Sequence, residues 1–287
     1  MAKLRVGIVD YLNSRPLAWD FLSGALADRY QVLYEPPARV ADLLASGDID
    51  IGLIPSIEYQ RIPDLAVIPG ACVASDSAVR SVLLVSNVPF GDIRTLALDE
   101  NSRTSAILVR IVLKELYGAE PTASPARPDL DVMLADSDAA LIIGDPALRI
   151  PMEEGRVLDL AVAWKKLTGL PFVFAFWAVR SGAVRSGLEA DFSASIERGR
   201  RNLSVLAHEA GRELGLSEAS LLDYLERNLR FDLGEPEVAG LEEFFRRSAA
   251  LLKERDPVPL RFVEAADGSG GGGRMSRTGE AIQAYSR

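Results

Sequence analysis

"VGIVDYLNSRPLAW" (residues 6–19) and "LALDENSRTSAILV" (residues 96–109) share one order of events: an apolar run, an aspartate, the triplet Asn-Ser-Arg, then an apolar-periodic segment. Each reads as a buried strand that leaves its sheet at the carboxyl end and turns into a helix. A chain that builds this edge twice builds two α/β units. Outward from the first triplet, Leu4 to Val9 is the strand, and a helix is predicted from Pro16, a residue suited to a helix's first turn. In "ARVADLLASGDIDIGLIPS" (residues 38–56), Val40, Leu43 and Leu44 share a helical face, Gly47 is placed to stop it, and "DIDIGLI" is the next strand.

"SVLLVS" (residues 81–86) is a further strand, "NVPFGDIR" reads as a crossover loop, and "TLALD" opens the second unit. Its helix is predicted over Thr104–Tyr117, with Ile107, Leu108, Ile111, Val112 and Leu116 on one face and Gly118 beyond the end. "AALIIGDP" then supplies a strand ending near Asp145. Alternating strands and helices imply a mostly parallel sheet, and ligands of such sheets sit beyond the carboxyl ends of strands. Two such edges facing each other make a cleft. "LPFVFAFWAVR" (residues 170–180) is a long strand returning the chain to the first unit, and the segments from there to about residue 255 carry helical apolar stripes. The expected division is a first domain of residues 1–86 and 175–264, an inserted domain of residues 87–174, and a Gly- and Ser-rich flexible tail of residues 265–287. Hinges are expected at residues 86–90 and 170–174.

Composition narrows the function classes. At 287 residues the chain suits two domains. Its apolar runs fall short of the ~20 residues a membrane span needs. The start "MAKLRVGIVD" lacks the long apolar region of a secretory signal, so a cytoplasmic location is expected. One cysteine, Cys72, and one histidine, His208, exclude an internal disulfide and a clustered Cys/His zinc site. A net charge of −9 with scattered basic residues is the wrong sign for a nucleic-acid binder. An anionic ligand must therefore be held by local groups.

"VGIVDYLNSRPL", "DIDIGLIPSIEY", "RSVLLVS", "DENSRTS" and "LTGLPFVFAFWAVR", in that order, resemble the chorismate dehydratases of the futalosine route of menaquinone biosynthesis, from about residue 4 to residue 260. The resemblance implies an α/β, two-lobed, type II periplasmic-binding-protein-like fold, with a cleft between lobes joined by two crossovers. It also implies a cytoplasmic, cofactor-free lyase that removes water from chorismate, and a small dianionic substrate as its partner.

Such chemistry needs hydrogen-bond donors for two carboxylates and a leaving hydroxyl. At the second edge, Asn101, Ser102, Arg103, Thr104 and Ser105 form a helix start whose N–H groups and hydroxyls can hold a carboxylate, although Ser102 or Thr104 can equally cap the helix. At the first edge, Asn13 is the candidate catalytic side chain, with Ser14 beside it; a turn asparagine bonding its own backbone is the plain alternative. Pro55, Ser56 and Ser81 fall at strand ends facing the cleft. Arg80 and Arg15 are weaker candidates for the carboxylates. Asp145 is a possible substrate contact or base, but a cap on the helix begun by Pro146 is the preferred reading. His208 lies far in sequence from every cleft motif, and no Ser-His-Asp or Cys-His set is available. Without an evident protein base, the substrate's enolpyruvyl carboxylate is the expected proton acceptor, ahead of Asp10 or Asp145. Two other functions fit the same fold: a 1,4-dihydroxy-6-naphthoate synthase-like enzyme of that pathway, and a non-catalytic solute-binding protein. Monomer and homodimer are both compatible with the helical C-terminal stripes.

Overall fold

Both expected edges are present in the structure, a computed structural model that describes residues 2–252, 256–264 and 275–277. In the first lobe β1 (Leu4–Val9) passes through a 3-10 turn at Leu12–Ser14 to α1 (Trp19–Leu22), β2 (Tyr30–Glu35), α2 (Pro37–Ser46), β3 (Ile51–Pro55) and β4 (Leu65–Ser75). Residues 76–81 cross to the second lobe, which contains β5 (Val82–Ser86), β6 (Thr95–Asp99), α3 (Thr104–Tyr117), β7 (Thr122–Ala126), α4 (Leu130–Asp136), β8 (Ala139–Ile143), β9 (Val157–Asp159) and α5 (Leu160–Thr168). Residues 169–171 lead back to β10 (Phe172–Arg180), α6 (Leu188–Arg201), α7 (Leu203–Leu214), α8 (Glu218–Asp223), a π turn at Tyr224–Asn228, α9 (Glu235–Leu252), β11 (Arg261–Val263) and β12 (Met275–Arg277).

The first sheet has the order β12-β11-β4-β10-β3-β1-β2 and the second β7-β6-β8-β5-β9. Within each lobe β1 pairs in parallel with β2 and β3, and β6 with β7 and β8, as expected for strand-helix alternation. The sheets are nevertheless mixed, not mostly parallel. β10 runs antiparallel to β3 and β4, and β5 antiparallel to β8 and β9. The cause is topological: a strand arriving from the other lobe enters its new sheet at the carboxyl edge of the resident strands and so must run against them.

Three boundaries differ from the sequence expectation. The domain limit at residue 86 moves to the crossover 76–81, because Val82–Ser86 is paired inside the second sheet. Residues 86–90 are therefore not a connection between lobes. The second limit moves from 174 to 169–171, because Phe172 and Val173 already pair with β4. The helix expected from Pro16 is instead a run of tight turns followed by one helical turn, with Ser14, Arg15 and Leu17 N–H groups bonded in 3-10 fashion to Tyr11, Leu12 and Ser14. Of the expected flexible tail, residues 265–274 and 278–287 lie outside the described residues, whereas Met275–Arg277 pairs antiparallel with β11.

The core follows the apolar patterns. β3 and β5 are buried along their whole length, and Val40, Ala41, Leu43 and Leu44 form the covered stripe of α2. α3 buries Ile107, Leu108, Ile111 and Val112 and ends at Gly118. Trp164, Phe172 and Phe244 stack edge to face where α5, β10 and α9 meet, which fixes the return crossover against both lobes. Two helices come closer to backbone than a side chain permits. A Cβ on Gly199 of α6 would lie 1.9 Å from the Pro16 carbonyl oxygen, and one on Gly240 of α9 would lie 2.2 Å from that of Pro171. Among the described residues no helix is long and apolar enough to cross a membrane.

Candidate functional site

A cavity of about 560 Å³, its mouth included, opens between the lobes at the carboxyl ends of β1, β3, β6 and β8. The first lobe contributes Val9, Tyr11, Asn13, Leu53, Pro55 and, from β10, Phe174; the second contributes Asn101 to Ser105, Ile143 and Gly144; Ser81 lines it from the first crossover. The two triplets thus face one another. Among the described residues no histidine, aspartate or glutamate lines the cavity, and Arg103 is the one cationic lining residue.

The start of α3 is the strongest ligand-binding element. Arg103 is its N-cap and provides no side-chain cap, so the first N–H groups of the helix have no intrahelical or capping partner. Ser102 lies beside them, 7% exposed, with its hydroxyl buried and unpartnered. A buried hydroxyl without a partner costs on the order of 1–3 kcal/mol, so this one is poised for a ligand. It does not cap the helix. Neither does Thr104, whose Oγ1 accepts the Ile57 N–H of the other lobe at 3.2 Å. The buried Asp99 below accepts the Asn101 N–H at 2.9 Å and the Ile143 N–H at 3.4 Å, holding the Asn101–Arg103 turn in place. Burial pushes its carboxyl above the usual range.

Asn13, Pro55, Ser81, Asn101, Ser102, Arg103, Thr104 and Ser105 all line the cavity, and three other expected contacts are used elsewhere. Ser14 is buried with its hydroxyl on the carbonyls of Val9 and Tyr11, bonds that shape the turn presenting Asn13. Ser56 donates to the Val173 carbonyl at 2.9 Å. Asp145 neither lines the cavity nor caps its turn, whose N-cap is Gly144; its carboxylate instead accepts the Leu12 N–H from the opposite lobe at 3.0 Å. Arg103 reaches the cavity, but its guanidinium is paired with Asp42 at 2.7 Å and Glu58 at 3.1 Å, both in the first lobe. It acts as a tie between lobes. His208 is exposed on α7 and pairs with Glu218 at 3.0 Å.

Sequence reasoning missed Tyr11, Gly144 and Tyr224. Tyr11 sits inside the opening motif, and its ring packs so closely on Gly144 that a Cβ there would lie 2.7 Å from ring carbons. Gly144 also has φ +70°, so the position excludes side chains twice over. Tyr224 stands in the π turn of the C-terminal helices, where apolar periodicity signals only burial; its phenol donates to Ser81 Oγ at 2.9 Å.

Asp145 gives the lobe contact a pH dependence. Burial raises its pKa to about 6, opposed by the Leu12 N–H and Arg15 and reinforced by Asp10 and Glu213. A carboxyl raised in the folded state favours folding most when protonated, so its contribution is complete below the unfolded value near 4 and is lost as pH rises through about 6. Asp145→Asn, which keeps an acceptor for Leu12, is expected to relieve a penalty of roughly 3 kcal/mol at neutral pH. Melting temperatures of both proteins from pH 4 to 7 check this: the gap should widen with pH, and parallel curves would discard it.

Residues 4–250 match the sequence profile of a family described as menaquinone biosynthesis. The chain is 31% identical over 258 residues to the chorismate dehydratase of Thermus thermophilus, covering 83% of this chain and 93% of that one. It is 30% identical over 174 residues to the chorismate dehydratase of Campylobacter jejuni, covering 59% and 64% respectively. In fold alone it is similar to the alkanesulfonate-binding protein SsuA of Xanthomonas axonopodis pv. citri, with a TM-score of 0.63 at 18% identity over 88% of this chain and 93% of that one.

Proposed function

The chain belongs to the menaquinone-biosynthesis family, and from that premise we propose that it is a chorismate dehydratase. It converts chorismate to 3-[(1-carboxyvinyl)oxy]benzoate and water, as a hydro-lyase of the futalosine route acting in the cytoplasm. The observation that carries the chemistry is a cleft between the lobes lined chiefly by neutral donors, with no aspartate, glutamate or histidine among the described lining residues. The open N–H groups of α3 with Ser102, Ser105 and Asn101 hold one substrate carboxylate, using the helix's partial positive charge in place of a cation. Asn13 and Ser81, across the cleft, hold the ring hydroxyl and the second carboxylate.

The substrate's enolpyruvyl carboxylate removes the ring proton, and the C–H electron pair becomes part of the aromatic ring. The C–O pair departs with hydroxide, which takes the proton back as water. The protein's part is to orient the carboxylate over the proton and to stabilise charge on the leaving oxygen. On this scheme Asp10→Asn and Asp145→Asn each fall short of the loss of about 10²-fold or more that removing a general base produces. A larger loss in a folded, substrate-binding variant would assign the base to that carboxylate.

The direct test mixes purified protein with chorismate, without cofactor, and follows product by chromatography and mass. Loss of one water with a new aromatic chromophore is the expected result. Unchanged chorismate refutes the dehydratase, and tight binding in that case points to a solute carrier. A second expectation concerns Ser102→Ala. Removing the unpartnered hydroxyl should raise KM about tenfold, the value of a hydrogen bond to a charged group, while leaving the free protein as stable or more stable. Stability falling together with unchanged KM would show that the hydroxyl serves the fold.

A further inference from the structure

Tyr224 belongs to neither lobe edge and does not line the cleft, yet its phenol is bonded to Ser81, which does. It lies in the five-residue π turn that continues α8, and such turns are rare and recur at functional sites because they re-aim one side chain out of helical register. Its ring is buried, 3% exposed, and burial pushes the phenol's pKa up, so it remains a proton donor across the whole physiological range. The hydroxyl donates to Ser81 Oγ at 2.9 Å, and Ser81 lines the cavity.

The proton count gives this arrangement a direction. A phenol has one proton, here directed to Ser81 Oγ; a serine hydroxyl that already accepts one hydrogen bond turns its own proton elsewhere. The Ser81 carbonyl is held by the Gly144 N–H at 2.8 Å, and its side chain is entirely buried against the cavity. We propose that Tyr224 is a positioning residue for the dehydration: it fixes Ser81 as a donor aimed into the cleft and polarises it through the hydrogen bond it donates to Ser81 Oγ. Hydrogen bonds in series strengthen one another, and a preset donor needs no reorganisation as negative charge develops on the departing oxygen. The same contact joins the C-terminal helices to the crossover at residues 76–81, whose Val79 and Arg80 N–H groups are held by Asp159 and whose Ala78 carbonyl accepts from Asn228. Ser81 is thus pinned on both sides while the lobes are together.

The inference rests on the dehydratase reading, and the test separates the two. Wild type, Tyr224→Phe, Ser81→Ala and the double variant are assayed with chorismate, with melting curves for each. Tyr224→Phe should lose about 10–30-fold in kcat with KM within about threefold, and the double variant should be no slower than Ser81→Ala alone, because Tyr224 acts only through that hydroxyl. Losses that multiply in the double variant, or a Tyr224→Phe change confined to melting temperature, overturn the inference while the dehydratase stands. A wild type inactive on chorismate overturns both. Should Tyr224→Phe not fold, 3-fluorotyrosine at position 224 keeps the ring and hydroxyl and makes a stronger donor: an altered kcat at constant KM supports the role, and an unaltered one removes it.

Discussion

Replacing Asn13 by alanine is expected to lower kcat for chorismate by about 10²–10³-fold, with KM changing by less than about threefold, the scale found when a single preorganised donor to a developing oxyanion is removed. The expectation follows from position and chemistry together. Asn13 stands at the carboxyl end of β1, on a turn held by the two hydrogen bonds of Ser14, and lines the cavity opposite the start of α3. An amide donates without titrating, so its contribution to the leaving oxygen does not vary with pH. Because one carboxylate is held at the other edge and Ser81 shares the second, the ground state loses little and the transition state loses most. Asn13→Asp is the sharper control: it preserves shape, replaces the donor with an acceptor, and should be at least as impaired as alanine. Steady-state kinetics with a melting curve for each variant decides it. Near-wild-type kcat in either variant would show that Asn13 is a turn former only.

The largest expected loss of stability is at Gly199. A Cβ there would meet the Pro16 carbonyl oxygen at 1.9 Å, and the obstacle is backbone with no rotamer to yield. Alanine in a helix interior gains about 1 kcal/mol over glycine, but overpacking of this kind costs typically 1–3 kcal/mol and occasionally more. With a backbone obstacle the clash prevails, and Gly199→Ala should lose about 2–3 kcal/mol, a fall of roughly 5–10 °C in Tm for a chain of this size. Activity should drop further than stability alone explains, since Pro16 is three residues beyond Asn13 on the same turn. Gly182→Ala, where the added methyl meets nothing within 4 Å, is the control and should be close to neutral. A Gly199→Ala protein as stable as wild type would mean that α6 and the Asn13 turn are not in the close contact described.

The strands and long helices were legible because their signals are local. The span Thr104–Tyr117, stopped by Gly118, follows from periodicity and helix-end chemistry, and the repeated triplet located both walls of the cleft. The failures concern partners distant in the chain. Strand direction at the crossovers depends on which sheet receives β5 and β10, a question of pairing that apolar runs do not encode. Asp145 reads as a cap in its own sequence context, yet its acceptor is claimed by Leu12 of the other lobe. Arg103 has the same history, and so does Thr104, drawn to the Ile57 N–H. Tyr224 had no signal at all, since a π turn inside a helical stretch leaves the apolar stripe almost unchanged.

The pairing of Arg103 with Asp42 and Glu58 has a consequence for how turnover ends. Dehydration leaves both carboxylates on the molecule, so its charge is the same before and after the reaction. A free guanidinium in the cleft would hold product as firmly as substrate. With that cation cancelled, discrimination falls to the hydroxyl that is lost and the ring that becomes flat, and product release comes from the same neutrality that makes the site depend on aimed donors.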